Sequence, residues 1–209
     1  PYMNEALLLL EEGASIKSVD KAATAFGMPM GPISLYDTVG LDVAIHAGGV
    51  LQKSFPDRVV PSKILPAMVE AERLGQKNSK GFFDYKTDKR GRTKPLPSEE
   101  AQSIIDSQAQ PKEPETPKSD FADRLFLPML LEATRLLEEG IVANVRDVDL
   151  GMIFGTGFPP FKGGLFFWAD SIGAEQIVEK LSKFESLGER YKPTQLLLAV
   201  AKENKKFYD

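Results

Sequence analysis

The chain has 209 residues, a net charge of -4, and 42% hydrophobic and 27% charged residues. This composition is typical of a globular protein, and the charge is too small to indicate a nucleic-acid-binding surface or a polybasic membrane anchor. The absence of cysteine excludes disulfides, thiol catalysis and thiolate metal sites. No apolar run reaches the roughly 18 residues that a membrane span needs. We therefore expect neither nucleic acid nor a membrane span.

Helix-forming segments dominate the first half of the chain. Ser15 fits the N-cap of the second helix, and Gly40 predicts an interruption of the third. Residues 28–32 contain two prolines and a glycine, which excludes helix there. The aromatic run 82–85 is predicted to be extended. The predicted helices cover residues 1–12, 16–26, 33–50, 63–74 and 98–107.

The second half begins with a proline-rich segment, residues 108–119, whose composition predicts an exposed linker. Helical patterns then resume, and Pro128 lies inside the first of them. No alternation of strands and helices indicates a parallel sheet, so the chain is predicted to be all-α. The predicted helices of this half cover residues 120–139, 144–154, 165–171, 174–187 and 194–204.

The sequence also contains an internal duplication. Residues 1–13 read PYMNEALLLLEEG and residues 128–140 read PMLLEATRLLEEG. Acidic residues recur in the same order, as in the pairs Glu5 and Glu132, Glu11 and Glu138, Asp20 and Asp149, and Asp37 and Asp170. Paired glutamates at such helix positions usually face water or cap a neighbour, so no catalytic role is assigned to the recurring glutamates. We expect two related helical domains, residues 1–107 and 120–209, joined by the 108–119 linker.

Few residues fit the chemistry of an active site. His46 is the single histidine, lies in a predicted apolar helix and has no orienting acid nearby, so a packed or half-exposed role is favoured. Residues 155–160 begin like the dinucleotide-binding G-x-G-x-x-G but have Pro160 in place of the third glycine, and they follow a helix. One histidine without cysteine makes a zinc site improbable. We expect no catalytic, cofactor-binding or metal-binding residue in this chain.

The best candidate site is the non-helical turn at residues 28–32. Methionine and proline offer an adaptable apolar surface that suits a flexible ligand chain. A rigid corner between two helices explains the same residues, and without further information it is the favoured explanation. Lys77 and Lys80 could attract a phosphate, although a solvated basic loop explains them better.

The first copy, with FGMPMGPISLYDTVGLD and GQKNSKGFFDY, resembles the C-terminal domain of the L-3-hydroxyacyl-CoA dehydrogenases. The second, with GTGFPPFKGG and RYKPTQLLLAVAKENKKFYD, is similar to the second C-terminal domain of multifunctional fatty-acid-oxidation alpha subunits. The resemblance covers nearly the whole chain. It implies a duplicated fold like the C-terminal domain of 6-phosphogluconate dehydrogenase, with the two domains about a pseudo-twofold axis.

The resemblance also implies that the chain is a fragment of a larger NAD-dependent 3-hydroxyacyl-CoA dehydrogenase of β-oxidation, often with an enoyl-CoA hydratase. An upstream domain would bind NAD and supply a catalytic His–Glu pair, so this fragment alone is predicted to be inactive. The family commonly has Phe-Glu where this chain has Ile33-Ser34. The residues implied to line the acyl-CoA cleft are Met28, Pro29, Met30, Gly31 and Pro32.

Partners and location follow from the same resemblance. A thiolase subunit is an implied partner, and the implied compartment is the cytoplasm in a bacterium, or the mitochondrial matrix or peroxisome in a eukaryote. The alternative is a non-catalytic helical assembly module that joins a β-oxidation chain to a thiolase or another partner. In the second copy, residues 158–164 are expected to serve packing rather than substrate binding, and loss of the Phe161 ring is expected to lower stability by roughly 2–4 kcal/mol if that ring is buried.

Overall fold

The computed structural model describes residues 1–111 and 116–209. Helices account for most of these residues, and the described ranges contain one small sheet of two strands. The predicted all-α class is therefore confirmed. Among the described residues, no helix is both long enough and apolar enough to cross a membrane. Residues 112–115, which belong to the predicted linker, lie outside the described ranges.

The helices of the described ranges follow the predicted order with small shifts at their ends. They are α1 (Tyr2–Glu11), α2 (Ile16–Phe26), α3 (Pro32–Val39), α4 (Leu41–Ser54), α5 (Ile64–Glu70), α6 (Glu99–Gln108), α7 (Phe121–Glu138), α8 (Val145–Thr156), α9 (Leu165–Ile172), α10 (Ala174–Ser182) and α11 (Gln195–Lys202). Gly40 separates α3 from α4 with a φ of 98°, as predicted. Pro128 lies inside α7.

Two helices, α5 and α10, end at least four residues earlier than predicted. The fifth ends at Glu70, because the chain turns at Glu72, which has a φ of 54°. This turn places the fully buried Arg73 side chain on Asp84, Glu100 and the Gly81 carbonyl, at N···O distances of 2.7–2.8 Å. The tenth helix ends at Ser182. Helix periodicity is a local pattern, so it cannot predict where a helix ends when polar contacts between distant residues determine the end.

A β-hairpin follows α5 and partly confirms the sequence prediction. Strand β1 (Phe83–Thr87) includes most of the predicted extended run, and it pairs antiparallel with β2 (Thr93–Pro97). The second strand was not predicted, because its two prolines remove backbone donors. An edge strand tolerates such prolines when their nitrogens need no partner.

The described chain divides into two compact units. The C-terminal unit consists of Pro1–Tyr2, Ala25–Pro29 and Ala122–Asp209, and the N-terminal unit consists of Met3–Thr24 and Met30–Phe121. Each unit therefore includes most of one copy of the duplication, but two short pieces of the first copy belong with the second: Pro1–Tyr2, and Ala25–Pro29, which contains the last two residues of α2 and the three that follow. The domains predicted from the sequence, residues 1–107 and 120–209, do not contain this assignment, and their boundaries stay a prediction.

Each unit has its own apolar core of side chains that are at most 1% exposed. In the N-terminal unit these include Ala6, Leu9, Leu10, Ile33, Leu41, Ile64, Met68 and Phe82. In the C-terminal unit they include Leu125, Phe126, Leu130, Phe158, Leu165, Phe166, Ile177 and Leu197. The residues come from most of the helices, as burial of one face per helix requires.

The described parts of the predicted linker contact the end of α1. The Gln110 backbone N–H donates to the Glu11 carbonyl at 2.7 Å, and Thr116 Oγ1 donates to Glu12 Oε2 at 3.3 Å. These residues are exposed or half-exposed except for Glu12. The role of residues 108–119 as a linker stays a prediction.

Candidate substrate-facing turn and its capping carboxylates

The predicted site residues form the connection from α2 to α3, and Pro32 is the first residue of α3. Met28, Gly31 and Pro32 are buried, whereas Pro29 is exposed and Met30 exposes 38% of its surface. Met28 and Pro29 belong to the C-terminal unit, and the other three belong to the N-terminal unit. Pro29 and Met30 are therefore the apolar side chains of the 28–32 turn that are available to a ligand, and Met30 is the one that belongs to the N-terminal unit.

The Asp20 carboxylate fixes the end of this turn. Its Oδ1 accepts the Ile33 N–H at 2.8 Å, and its Oδ2 accepts the Ser34 N–H at 3.3 Å and the Ser34 hydroxyl at 2.7 Å. These two amides belong to the first turn of α3, where backbone donors have no partner within the helix. An anion at this position also interacts favourably with the helix dipole. Asp20, in α2, thus caps α3 from a distance in sequence.

Gly31 lets the chain approach Asp20 closely. A Cβ atom at this position would lie 2.0 Å from the Asp20 Cγ, a distance that no side chain can occupy. The close packing removes water from the carboxylate, and this burial raises the pKa of Asp20 above its ordinary value of 3.8, against the lowering effect of its hydrogen bonds from Ser34 and Ile33. Glycine is therefore required here for space.

The second copy repeats the arrangement. Asp149 Oδ1 accepts the Phe166 N–H at 2.7 Å, and Oδ2 accepts the Phe167 N–H at 3.1 Å and the Tyr208 hydroxyl at 2.8 Å. A Cβ at Gly164 would lie 2.3 Å from the Asp149 Cγ. Both copies therefore use one aspartate to cap the following helix across a glycine, with a hydroxyl group as the third donor.

A second pair of aspartates ties the end of each copy to its third helix. Asp37 accepts the Phe82 N–H at 2.7 Å, the Phe83 N–H at 2.9 Å and the Tyr85 hydroxyl at 2.9 Å. Burial raises its pKa, although these hydrogen bonds and the Arg73 charge act in the opposite direction. Its counterpart is Asp170, described next.

Asp170 accepts the Phe207 N–H at 2.8 Å and the Tyr208 N–H at 3.2 Å.

A third pair of carboxylates, Glu11 and Glu138, caps α5 and α11. Glu11 Oε1 accepts the Lys63 N–H at 2.6 Å, and Glu138 Oε1 accepts the Leu196 N–H at 2.5 Å. The sequence shows that these carboxylates recur in both copies, and this recurrence indicates a shared structural role. It does not indicate which backbone amides each carboxylate contacts.

An aromatic cluster surrounds Phe26 in the C-terminal unit. Its ring stacks on Phe126 with centroids 3.7 Å apart and meets the edge of Trp168 at 5.2 Å. The Lys162 ammonium lies 4.4 Å from the Phe26 centroid, within the range of a cation–π interaction. This cluster holds the first half of the 28–32 turn within the C-terminal unit.

The aromatic residues of the second copy differ in exposure. Phe166 and Trp168 are buried, whereas Phe167 exposes 54% of its surface. Phe161 exposes 76%, so the condition for a large stability loss on its removal, a buried ring, is not met. Its position against Gly27, where a Cβ would lie 2.5 Å from the ring, covers the backbone on one side only.

The remaining candidates give no site. His46 is exposed on α4, and Lys77 forms an ion pair with Asp42 that lowers the carboxyl pKa. Lys80 is also exposed. Within residues 1–111 and 116–209, no group of three or more His, Asp or Glu side chains is placed to hold a metal ion.

The segment that partly matches a dinucleotide loop does not fit NAD. Gly155 and Thr156 form the last turn of α8, and Gly157 ends the helix in the left-handed conformation. A dinucleotide loop instead opens a helix, so that free backbone N–H groups face the pyrophosphate. No step of a reaction can be assigned to NAD at these residues.

Comparison with known proteins gives the family. The model of the 3-hydroxyacyl-CoA dehydrogenase C-terminal domain matches residues 1–85 and again 121–207. This chain belongs to the 3-hydroxyacyl-CoA dehydrogenase C-terminal domain family. The family model accounts for both copies and ends each match near the aromatic segment that Asp37 or Asp170 holds.

Curated relatives of the 3-hydroxyacyl-CoA dehydrogenase family extend the comparison. The fatty acid oxidation complex subunit alpha of Pseudomonas aeruginosa PAO1 is 40% identical over 210 residues, and that of Acinetobacter baylyi is 39% identical over the same length. Each alignment covers 100% of this chain and 29% of the relative. The chain therefore spans less than a third of the length of these proteins.

Solved structures of the family have a similar fold. The dehydrogenase part of multifunctional enzyme 1 from C. elegans has a TM-score of 0.70 at 27% identity, over 95% of this chain and 45% of that one. The 3-hydroxybutyryl-CoA dehydrogenase of Escherichia coli K12 has a TM-score of 0.76 at 21% identity, over 98% and 58%. The second comparison supports the fold alone.

Proposed function

We propose that this chain is the C-terminal part of an NAD-dependent L-3-hydroxyacyl-CoA dehydrogenase of fatty acid oxidation. It forms the acyl side of the substrate cleft and provides, within one polypeptide, the pseudo-dimer contact between two copies of the domain. The observation that carries this proposal is the match of the family model to both copies. The names of the relatives, which align over the whole chain, support fatty acid oxidation as the pathway.

The 28–32 turn is the surface that we assign to the acyl group. Met30 provides an exposed, unbranched thioether that can adapt to chains of different length. Pro32 and Gly31 are buried beside it, and the Asp20 cap holds the Ile33 and Ser34 amides that follow them. An apolar side chain on a fixed backbone is suited to contact a hydrocarbon chain without contributing to the chemistry.

The cofactor and the reacting groups lie elsewhere in this proposal. An upstream dinucleotide-binding domain of the full-length polypeptide would bind NAD and supply the base that oxidation of an alcohol requires. The relatives are named as alpha subunits of a complex, which supports a partner subunit, and the family resemblance implies that this partner is a thiolase. The bacterial origin of these relatives supports the cytoplasm as the compartment.

The experiment compares two aspartate variants of the full-length polypeptide. Met30→Asp places a charge against the acyl chain, which is unfavourable in an apolar contact. We expect kcat/KM for a long-chain 3-hydroxyacyl-CoA to fall about tenfold or more, equivalent to at least ~1.4 kcal/mol. Leu150→Asp is the control, because Leu150 exposes 46% of its surface on α8 in the second copy.

NADH formation at a series of acyl chain lengths measures both variants, and thermal unfolding checks their folding. Equal loss of kcat/KM in Met30→Asp and Leu150→Asp would contradict the assignment of the turn. The isolated 209-residue chain should neither reduce NAD nor bind it, since its residues do not fit the dinucleotide. Turnover by this chain that disappears in His46→Ala would overturn the proposed division of labour.

A further inference from the structure

Asp20 and Ser34 fix the first turn of α3, directly after the 28–32 turn, through contacts that lie entirely within the N-terminal unit. The Ser34 hydroxyl donates to Asp20 Oδ2 at 2.7 Å, and the Ile33 N–H donates to Oδ1 at 2.8 Å. Hydrogen bonds to an ionised acceptor are stronger than neutral ones. The carboxylate is therefore fixed on both oxygens, and the position of the following backbone is fixed with it.

Gly31 packs directly on Asp20 and is bonded to Met30, so it connects the two residues. The glycine backbone is packed so closely on the carboxylate that a Cβ would lie 2.0 Å from its Cγ. Met30 is the next residue towards the N-terminus and exposes 38% of its surface. A shift of the carboxylate thus moves Gly31, and the exposed thioether moves with it.

We propose that Asp20 and Ser34 are positioning residues that hold Met30 against the acyl chain and so set the chain-length preference of the full-length enzyme. The inference rests on the proposed function, because it needs the turn to face the acyl group. Neither residue touches the reacting carbons. A displaced apolar contact changes substrate affinity in proportion to the hydrocarbon that it covers.

The duplication provides a matched control for a purely structural role. In the second copy, Asp149 makes the same cap with the Phe166 and Phe167 amides, and the Tyr208 hydroxyl takes the place of the Ser34 hydroxyl at 2.8 Å. Ser34→Ala and Tyr208→Phe each remove one hydroxyl donor from a capping carboxylate. Both variants should therefore lower the melting temperature by similar amounts.

The test measures kcat and KM in the full-length polypeptide for 3-hydroxybutyryl-CoA and for a 3-hydroxyacyl-CoA of sixteen carbons. For Ser34→Ala we expect KM for the long substrate to rise about three- to tenfold, the range that corresponds to the net contribution of one ordinary intramolecular hydrogen bond. Its kcat should stay unchanged, and so should both constants for the short substrate. Tyr208→Phe should leave all four constants unchanged, and Ser34→Thr, which retains the hydroxyl, should restore the long-chain KM.

Two results would overturn the inference. One is a long-chain KM of Ser34→Ala equal to that of Tyr208→Phe. The other is a fall in kcat of Ser34→Ala for both substrates alike. Failure of the proposed function is distinguishable, because it appears as loss of the Met30→Asp effect or as absence of turnover in the unmodified full-length polypeptide.

Discussion

The strongest stability prediction concerns Asp37, whose carboxylate joins α3 to the beginning of the β-hairpin. Its side chain is 1% exposed and accepts two backbone amides and the Tyr85 hydroxyl. Asp37→Ala leaves these donors without an acceptor. The Phe82 amide and the Tyr85 hydroxyl are buried, whereas the Phe83 amide is only part-buried and can reach water.

The expected loss follows from the two buried donors. Each unsatisfied buried donor costs about 1–3 kcal/mol, so the pair costs about 2–6 kcal/mol. Removing the carboxylate also removes its own desolvation penalty, which is what raises the Asp37 pKa. We therefore expect the lower half of that range, about 2–4 kcal/mol of unfolding free energy.

Asp170→Ala is the matched control in the second copy. Asp170 also accepts two backbone amides, but its side chain is half-buried rather than buried, so the carboxylate and the Phe207 and Tyr208 amides can reach water. Its loss should be about 0.5–1 kcal/mol, the net value of ordinary hydrogen bonds. Urea denaturation followed by far-UV circular dichroism measures both variants.

A double-mutant cycle isolates the contact between Asp37 and Tyr85. Tyr85→Phe removes one of the orphaned donors, so the double variant should lose about 1 kcal/mol less than the sum of the single variants. An Asp37→Ala loss no larger than that of Asp170→Ala would refute the reasoning, since burial is the feature that distinguishes the two sites.

Three further predictions test other parts of the fold. Burial and the hydrogen bond to Asp149 raise the Tyr208 pKa from 10.0 to about 12. The neutral phenol therefore stabilises the folded state fully below pH 10, and this contribution is lost as the pH rises through 12. Between pH 10 and 12, urea titrations should show a smaller fall in unfolding free energy for Tyr208→Phe than for the unmodified chain. Arg73→Met should lose about 2–4 kcal/mol by the same denaturation assay, because the fully buried guanidinium holds α6 and the hairpin. Phe26→Ala should lower the unfolding free energy by about 2–4 kcal/mol in thermal unfolding, because this ring stacks in the aromatic cluster. Phe161→Ala should lower it by less than about 0.5 kcal/mol, because this ring is 76% exposed. Equal losses in the two variants would contradict the argument from exposure.

The sequence alone determined the local structure and the duplication. Helix propensity, glycine and proline positions act over a few residues, so they located most helices and the breaks at Gly40 and in the 28–32 turn. The repeated carboxylates were also visible, because a duplicated fold keeps the same residues in the same order. Family membership followed from these same segments.

The tertiary structure decided what the repeated carboxylates do and where the aromatic rings lie. Asp37 contacts backbone amides 45 and 46 residues away, and no local pattern specifies such partners. Phe26 ends a helix of the first copy but packs in the C-terminal unit, whereas Phe161, in an equally apolar segment, faces solvent. Burial depends on which surfaces meet after folding, so only the three-dimensional structure distinguishes these two phenylalanines.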